Sequence, residues 1–126
     1  MVPAELLAEI EELRQDGWVI TVSEMPDGFV HVVLDQFDLP SGFSLKQSRL
    51  LVKVPQSYPN GKPDMFWLEE PVRLETGAIP QSATEVEQNH GLAWRRFSWH
   101  PSKWVPGVDN FRSYMEFVRT RLNHKQ

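Results

Sequence analysis

The 126-residue chain contains no cysteine. That absence removes disulfides, thiolate metal sites and thiol nucleophiles together, and makes a cytoplasmic location the expectation. Long apolar runs are missing as well: no window approaches the roughly 18 apolar residues of a membrane helix, so no membrane association is expected. The N-terminal MVPAELLAEIEELRQ is acidic and amphipathic, without the basic start and apolar stretch of a secretory signal. Positive charge is also in short supply. Thirteen Lys and Arg stand against 17 Asp and Glu, for a formal charge of -4. With no recognisable DNA or RNA motif, an acidic chain of this kind would repel phosphate, and no nucleic-acid partner is expected. HExxH, P-loop, GxSxG and dinucleotide signatures are absent, so no cofactor or metal is expected.

The charge that is present is unevenly spread. Residues 1–93 hold 6 basic and 15 acidic side chains, a net -9, whereas residues 94–126 hold 7 and 2, a net +5. The two segments either complement one another within the molecule or serve docking.

Length and an ordinary balance of 40% hydrophobic and 24% charged residues suit one folded domain over residues 1–126. Leu6, Leu7, Ile10 and Leu13 recur at helical spacing after Pro3 and before Asp16-Gly17, which predicts a helix over 3–16. Its acidic residues Glu5, Glu9, Glu11 and Glu12 read as a solvated face. WVITVSEMPDGFVHVVLDQF is a β-hairpin around Pro-Asp-Gly, with His31 as an ordinary strand side chain making a satisfied hydrogen bond. SRLLVKVP is a third strand, and the loop in QSYPNGKPDMFWLEEP delivers a fourth around residues 65–68. Residues 69–92, rich in proline, glycine and polar side chains, read as a long irregular loop in which Glu69 and Glu70 are solvated. From Asp109, a candidate cap, Phe111, Tyr114, Met115, Val118 and Leu122 share one face of a last helix. The expected fold is α+β and two-layered: an N-terminal helix, a four-stranded antiparallel meander, a long loop and a C-terminal helix, with Leu6, Ile10 and Leu13 packing on the sheet beside Phe111, Tyr114 and Val118.

The residues AWRRFSWHPSKWVPGVDNF concentrate Trp94, Trp99 and Trp104 in a stretch without a clean period. At least two of these rings are expected to anchor an irregular loop to the core. YPNGKPDMFW, WRRFSWH, the Trp-x-Pro-Gly-x-Asp that begins at Trp104 and the terminal amphipathic helix, taken in that order, resemble the ubiquitin-conjugating enzyme fold, and more closely the bacterial ubiquitin-conjugating-like family E. The resemblance implies a UBC-like domain. It also implies as partners a ubiquitin-like protein, its adenylating activating enzyme and a JAB-type metalloprotease encoded nearby.

Conjugating enzymes carry a cysteine a few residues before the Trp-x-Pro, because a thiolate attacks an activated C-terminus well and leaves well. Aligning Trp104 and Pro106 on that motif puts the missing cysteine near residues 96–98, where Ser98 is the only nucleophile. His100 is the candidate base, and the product would be an oxyester. Asn89 and His90 lie roughly where the resemblance implies an asparagine supporting the oxyanion. Tyr58, Trp99 and Trp104 are the candidate binding residues. Against these roles stand a loop hydroxyl bonded to backbone for Ser98, a ring packed on tryptophan for His100, and plain turn chemistry for Asn-His-Gly. The alternative function is a non-catalytic module that presents a ubiquitin-like protein to its activating enzyme or target.

Overall fold

A computed structural model describes residues 1–124. Helix α1 spans Ala4–Gln15 and buries Leu6, Ile10 and Leu13, the expected face, while Leu7 stays 45% exposed. It ends as Asp16-Gly17 predicts. Gly17 takes φ 103°, a left-handed conformation natural to glycine, and its N–H donates to Arg14 O while the N–H of Trp18 reaches back to Leu13 O.

Strands β1 (Ile20–Glu24), β2 (Phe29–Asp38), β3 (Gln47–Pro55) and β4 (Phe66–Glu69) form the antiparallel meander read from the sequence. The sheet does not stop there. Residues expected to be loop form a further hairpin, β5 (Glu85–Asn89) and β6 (Leu92–Phe97), which adds to β4 through β6 and makes six strands in the order β1-β2-β3-β4-β6-β5. The turn explains how so short a connection closes: His90 and Gly91 have φ 54° and 73°, the two consecutive left-handed residues that fit the twist of a two-residue hairpin. The hairpin was concealed by its composition, because β6 carries two arginines and β5 only one apolar residue. Arg95 is buried to 4% exposure, which is tolerable because its guanidinium donates to Glu70 at 2.7 Å and to Ala83 O at 2.6 Å.

Alternation along the strands gives the sheet two unlike faces. Val30, Val32, Leu34, Leu50, Val52, Val54, Phe66, Leu68 and Phe97 point to the main core, which both helices cover. Leu51, Trp67 and Trp94 form a smaller core on the opposite side, together with Val33, Met65 and Leu92, and no helix among the described residues contributes to it. Helix α2 (Phe111–Leu122) buries Phe111, Tyr114, Met115, Val118 and Leu122. Its cap is Asn110 and not the expected Asp109: the Asn110 side chain accepts from the N–H of Ser113, whose hydroxyl accepts from the N–H of Asn110. Asp109 instead accepts from the N–H of Val105 and closes the preceding turn.

Glu70 corrects the expectation of a solvated carboxylate pair. It accepts from Arg95, Arg73 and the N–H of Val72. Burial works against its charge, but these donors outweigh it and hold the carboxyl below the usual range. Arg95–Glu70, Arg96–Glu87 and Arg112–Asp16 each join the basic C-terminal segment to the acidic one, so a good part of the charge asymmetry is complementary within the molecule.

Candidate functional site

β6 leads directly into the segment 98–110, which returns to α2 without regular structure. Hydrogen bonds and aromatic packing hold this segment instead. The N–H of Ser98 donates to Ser82 O at 2.9 Å, extending the hairpin by one rung. Lys62 Nζ donates to Pro101 O at 2.9 Å, and the Trp104 indole N–H donates to Pro59 O at 2.8 Å, so the Tyr-Pro-Asn-Gly-Lys-Pro turn grips the segment at two points. Trp99 lies against Phe66 and Phe97, with ring centres 6.2 and 5.8 Å apart. Trp94 is on the other face of the sheet, 1% exposed, with its indole N–H donating to Asn89 O. All three tryptophans pack, and Trp99 and Trp104 anchor the irregular segment to the main core.

Tyr58 is 4% exposed. Its hydroxyl donates to Glu9 Oε1, which also accepts from the N–H of Phe111 at 2.9 Å. Burial, followed by the Glu9 carboxylate, pushes the phenol above its ordinary pKa. Tyr58 therefore spends its surface inside the fold, beside Trp104 at 6.0 Å between ring centres. Glu9, read as part of a solvated face, is instead the acceptor that ties α1 to the Tyr-Pro turn and to the start of α2.

Ser98 is half-buried, and no hydrogen bond among the described residues engages its hydroxyl. His100 is exposed, and its Nδ1 is hydrogen-bonded to Asp64 Oδ1, a partner 36 positions away. Holding an imidazole at Nδ1 fixes the ring and leaves Nε2 as the nitrogen open to a hydroxyl. Asp64 was not a candidate on sequence grounds. The pairing of Phe66 with Phe97 brings the residues just before β4 beside those just after β6, and only that register places Asp64 next to His100. No hydrogen bond joins Ser98 and His100. Next to these residues, Pro101, Ser102, Lys103 and Trp104 face Ser113, Tyr114 and Phe117 of α2 across a recess of about 140 Å³.

Asn89 and His90 are at the tip of the β5–β6 hairpin, and Ser98 follows its other end. Six residues of extended chain from Leu92 to Ser98 span about 20 Å. The structure does not bring the two together. The Asn89 side-chain nitrogen is buried without a hydrogen-bond partner among the described residues, and His90 Nε2 bonds instead to His31 Nδ1 at 2.9 Å. His31 is 2% exposed, and its Nε2 bonds to Asp27 Oδ2 at 2.8 Å, so the expected satisfied strand histidine is found with both nitrogens engaged.

An antiparallel sheet covered by its first and last helices, a Tyr-Pro turn leading into β4, and a tryptophan-anchored segment before α2 define a protein of the ubiquitin-conjugating-like class. The model for prokaryotic E2 family E matches residues 9–125, and the chain belongs to that family. Searches of curated proteins and of solved structures give no match.

Proposed function

We propose that this chain carries a ubiquitin-like protein through its C-terminus as an oxyester on Ser98. The observation that carries the reading is a half-buried Ser98 hydroxyl without a hydrogen-bond partner among the described residues, two residues from a histidine that Asp64 already orients. An activating enzyme supplies the C-terminus as an acyl-adenylate. Ser98 Oγ attacks the acyl carbon, His100 Nε2 takes the hydroxyl proton, and AMP departs with the electron pair of the broken bond. His100, having released the first proton to solvent, then takes the proton of an attacking target amine or hydroxyl and passes it to Ser98 Oγ, which leaves with the electron pair of the ester bond as the new bond forms. Asp64 is a positioning residue. Asn89 and His90 take no part in this reading, and Tyr58, Trp99 and Trp104 act by holding the segment that a bound tail would follow. A JAB-type protease from the same operon would reverse the modification, and a cytoplasmic setting suits all of these partners.

The test combines the chain with the ubiquitin-like protein, the activating enzyme and ATP. An adduct resistant to thiol reductant and labile to alkali is expected by mass spectrometry. Ser98→Ala should abolish it, Ser98→Cys should convert it to a reducible thioester, and His100→Ala should slow its formation by roughly 10²- to 10⁴-fold. A second reading, a non-catalytic module that presents the ubiquitin-like protein, is favoured by the absence of a Ser98–His100 hydrogen bond. It becomes the better one if no adduct forms while Ser98→Ala binds the ubiquitin-like protein as tightly as the unaltered chain.

A further inference from the structure

Strands β3, β4 and β6 lie between β2 and β5 in the sheet, yet the turn joining β5 to β6 touches β2 through a side chain. The sheet must curl for that contact to exist, and the hairpin tip then leans over the small core of Leu51, Trp67 and Trp94. His90 meeting His31 is the hydrogen bond that closes the curl. We propose that the His90–His31–Asp27 chain is an acid-released latch, which holds the hairpin tip against β2 while at least one of the two imidazoles is neutral and frees it when both take a proton.

The direction of each hydrogen bond follows from the chemistry of its end. Asp27 Oδ1 accepts from the N–H of Phe29, and Lys53 Nζ stands 3.8 Å from Oδ2. Although burial opposes its charge, the Phe29 N–H, His31 and Lys53 hold this carboxyl below its usual pKa, so it is ionised and can only accept. His31 Nε2 must donate to it. A neutral His31 then offers Nδ1 as an acceptor, and His90 Nε2–H donates into it. A second proton on His31 turns Nδ1 into a donor, which a neutral His90 still answers by moving its own proton to Nδ1 and accepting at Nε2; when both rings are doubly protonated, two N–H donors on two positive rings face one another and the contact is lost.

The groups facing His31 are Asp27 from the β1–β2 turn, Lys53 from β3 and His90 from the tip. Asp35 and Arg49 share with His90 a cavity of about 340 Å³, which Thr21, Val33 and Trp94 also line. Burial lowers the His31 pKa, the Asp27 carboxylate opposes it, and Lys53 and His90 reinforce it, with a net shift downward. The freed state therefore binds a proton that the closed state resists. Closure is at full strength above the ordinary imidazole value of about 6.5 and fades as pH falls below it through the depressed value.

The Trp94 indole N–H, which donates to Asn89 O beside the tip, provides the probe. Its hydrogen exchange, followed by NMR and corrected for the intrinsic pH dependence, should show protection falling at least about tenfold between pH 7.5 and pH 5. His31→Gln should keep protection at both values, since a glutamine can donate to Asp27 and accept from His90 without titrating. His90→Gly, which suits the left-handed turn, should lower protection at both. Direct observation of the ring nitrogens in the unaltered chain serves if a variant does not fold: His31 Nδ1 should be a bare acceptor at pH 7.5. Equal Trp94 protection at both pH values, or both imidazoles protonated with the tip still protected, would overturn the latch.

Discussion

One carboxylate oxygen of Glu9 accepts from both the Tyr58 hydroxyl and the N–H of Phe111. Truncation to alanine leaves a buried phenol and the first N–H of α2 without their acceptor. Glu9→Ala should therefore destabilise the fold by about 1–3 kcal/mol, as read from urea unfolding. Because the partners share that one acceptor, Tyr58→Phe combined with Glu9→Ala should cost less than the sum of the two single changes. Strict additivity would mean that the phenol and the carboxylate do not cooperate. At Ser98 the scale is the same but the chemistry differs, because a hydroxyl without an internal partner is inexpensive to replace. Ser98→Ala should leave the urea midpoint nearly unchanged while removing the adduct, which separates a reacting group from a structural one.

Among the elements, α1 and α2 are held by features of different strength. Ile10 is fully buried beneath the sheet, and Ile10→Ala should cost about 2–5 kcal/mol. The Asn110 cap lies near the surface, so Asn110→Ala should cost about 0.5–2 kcal/mol, measured by the same unfolding curve. Both helices and the first four strands were legible from sequence because their apolar residues keep the period of the element that they form. β5 and β6 were not, since Arg95 occupies a core position and is neutralised by Glu70, a partner 25 positions away. The same limit applied at the site. Ser98 and His100 could be named as a candidate pair because they are close in sequence, whereas Asp64 and Glu9 acquire their contacts only from pairings that fold the chain back on itself. Asn89 and His90, which the resemblance put roughly beside the candidate site, lie at the other end of β6 from Ser98.

For the molecule as a whole, acid should act in two steps. Glu70 has a depressed folded pKa, so its contribution to stability is present above the ordinary glutamate value of about 4.3 and is lost as pH falls through the folded value. The His31 contribution fades earlier, below about 6.5. A plot of urea midpoint against pH should accordingly show two descents, with Glu70→Gln flattening only the lower one and His31→Gln only the upper. A single descent common to all three proteins would refute the separation. The shared core of α1 and α2 also governs the order of events during synthesis. Most of the sheet pairs neighbours in sequence, but the apolar face that it presents is roofed by helices made first and last, so α1 waits, half-covered, until residues 111–122 leave the ribosome. A fragment ending at Asn110 should consequently be captured by chaperones or aggregate, although every strand of its sheet is already present.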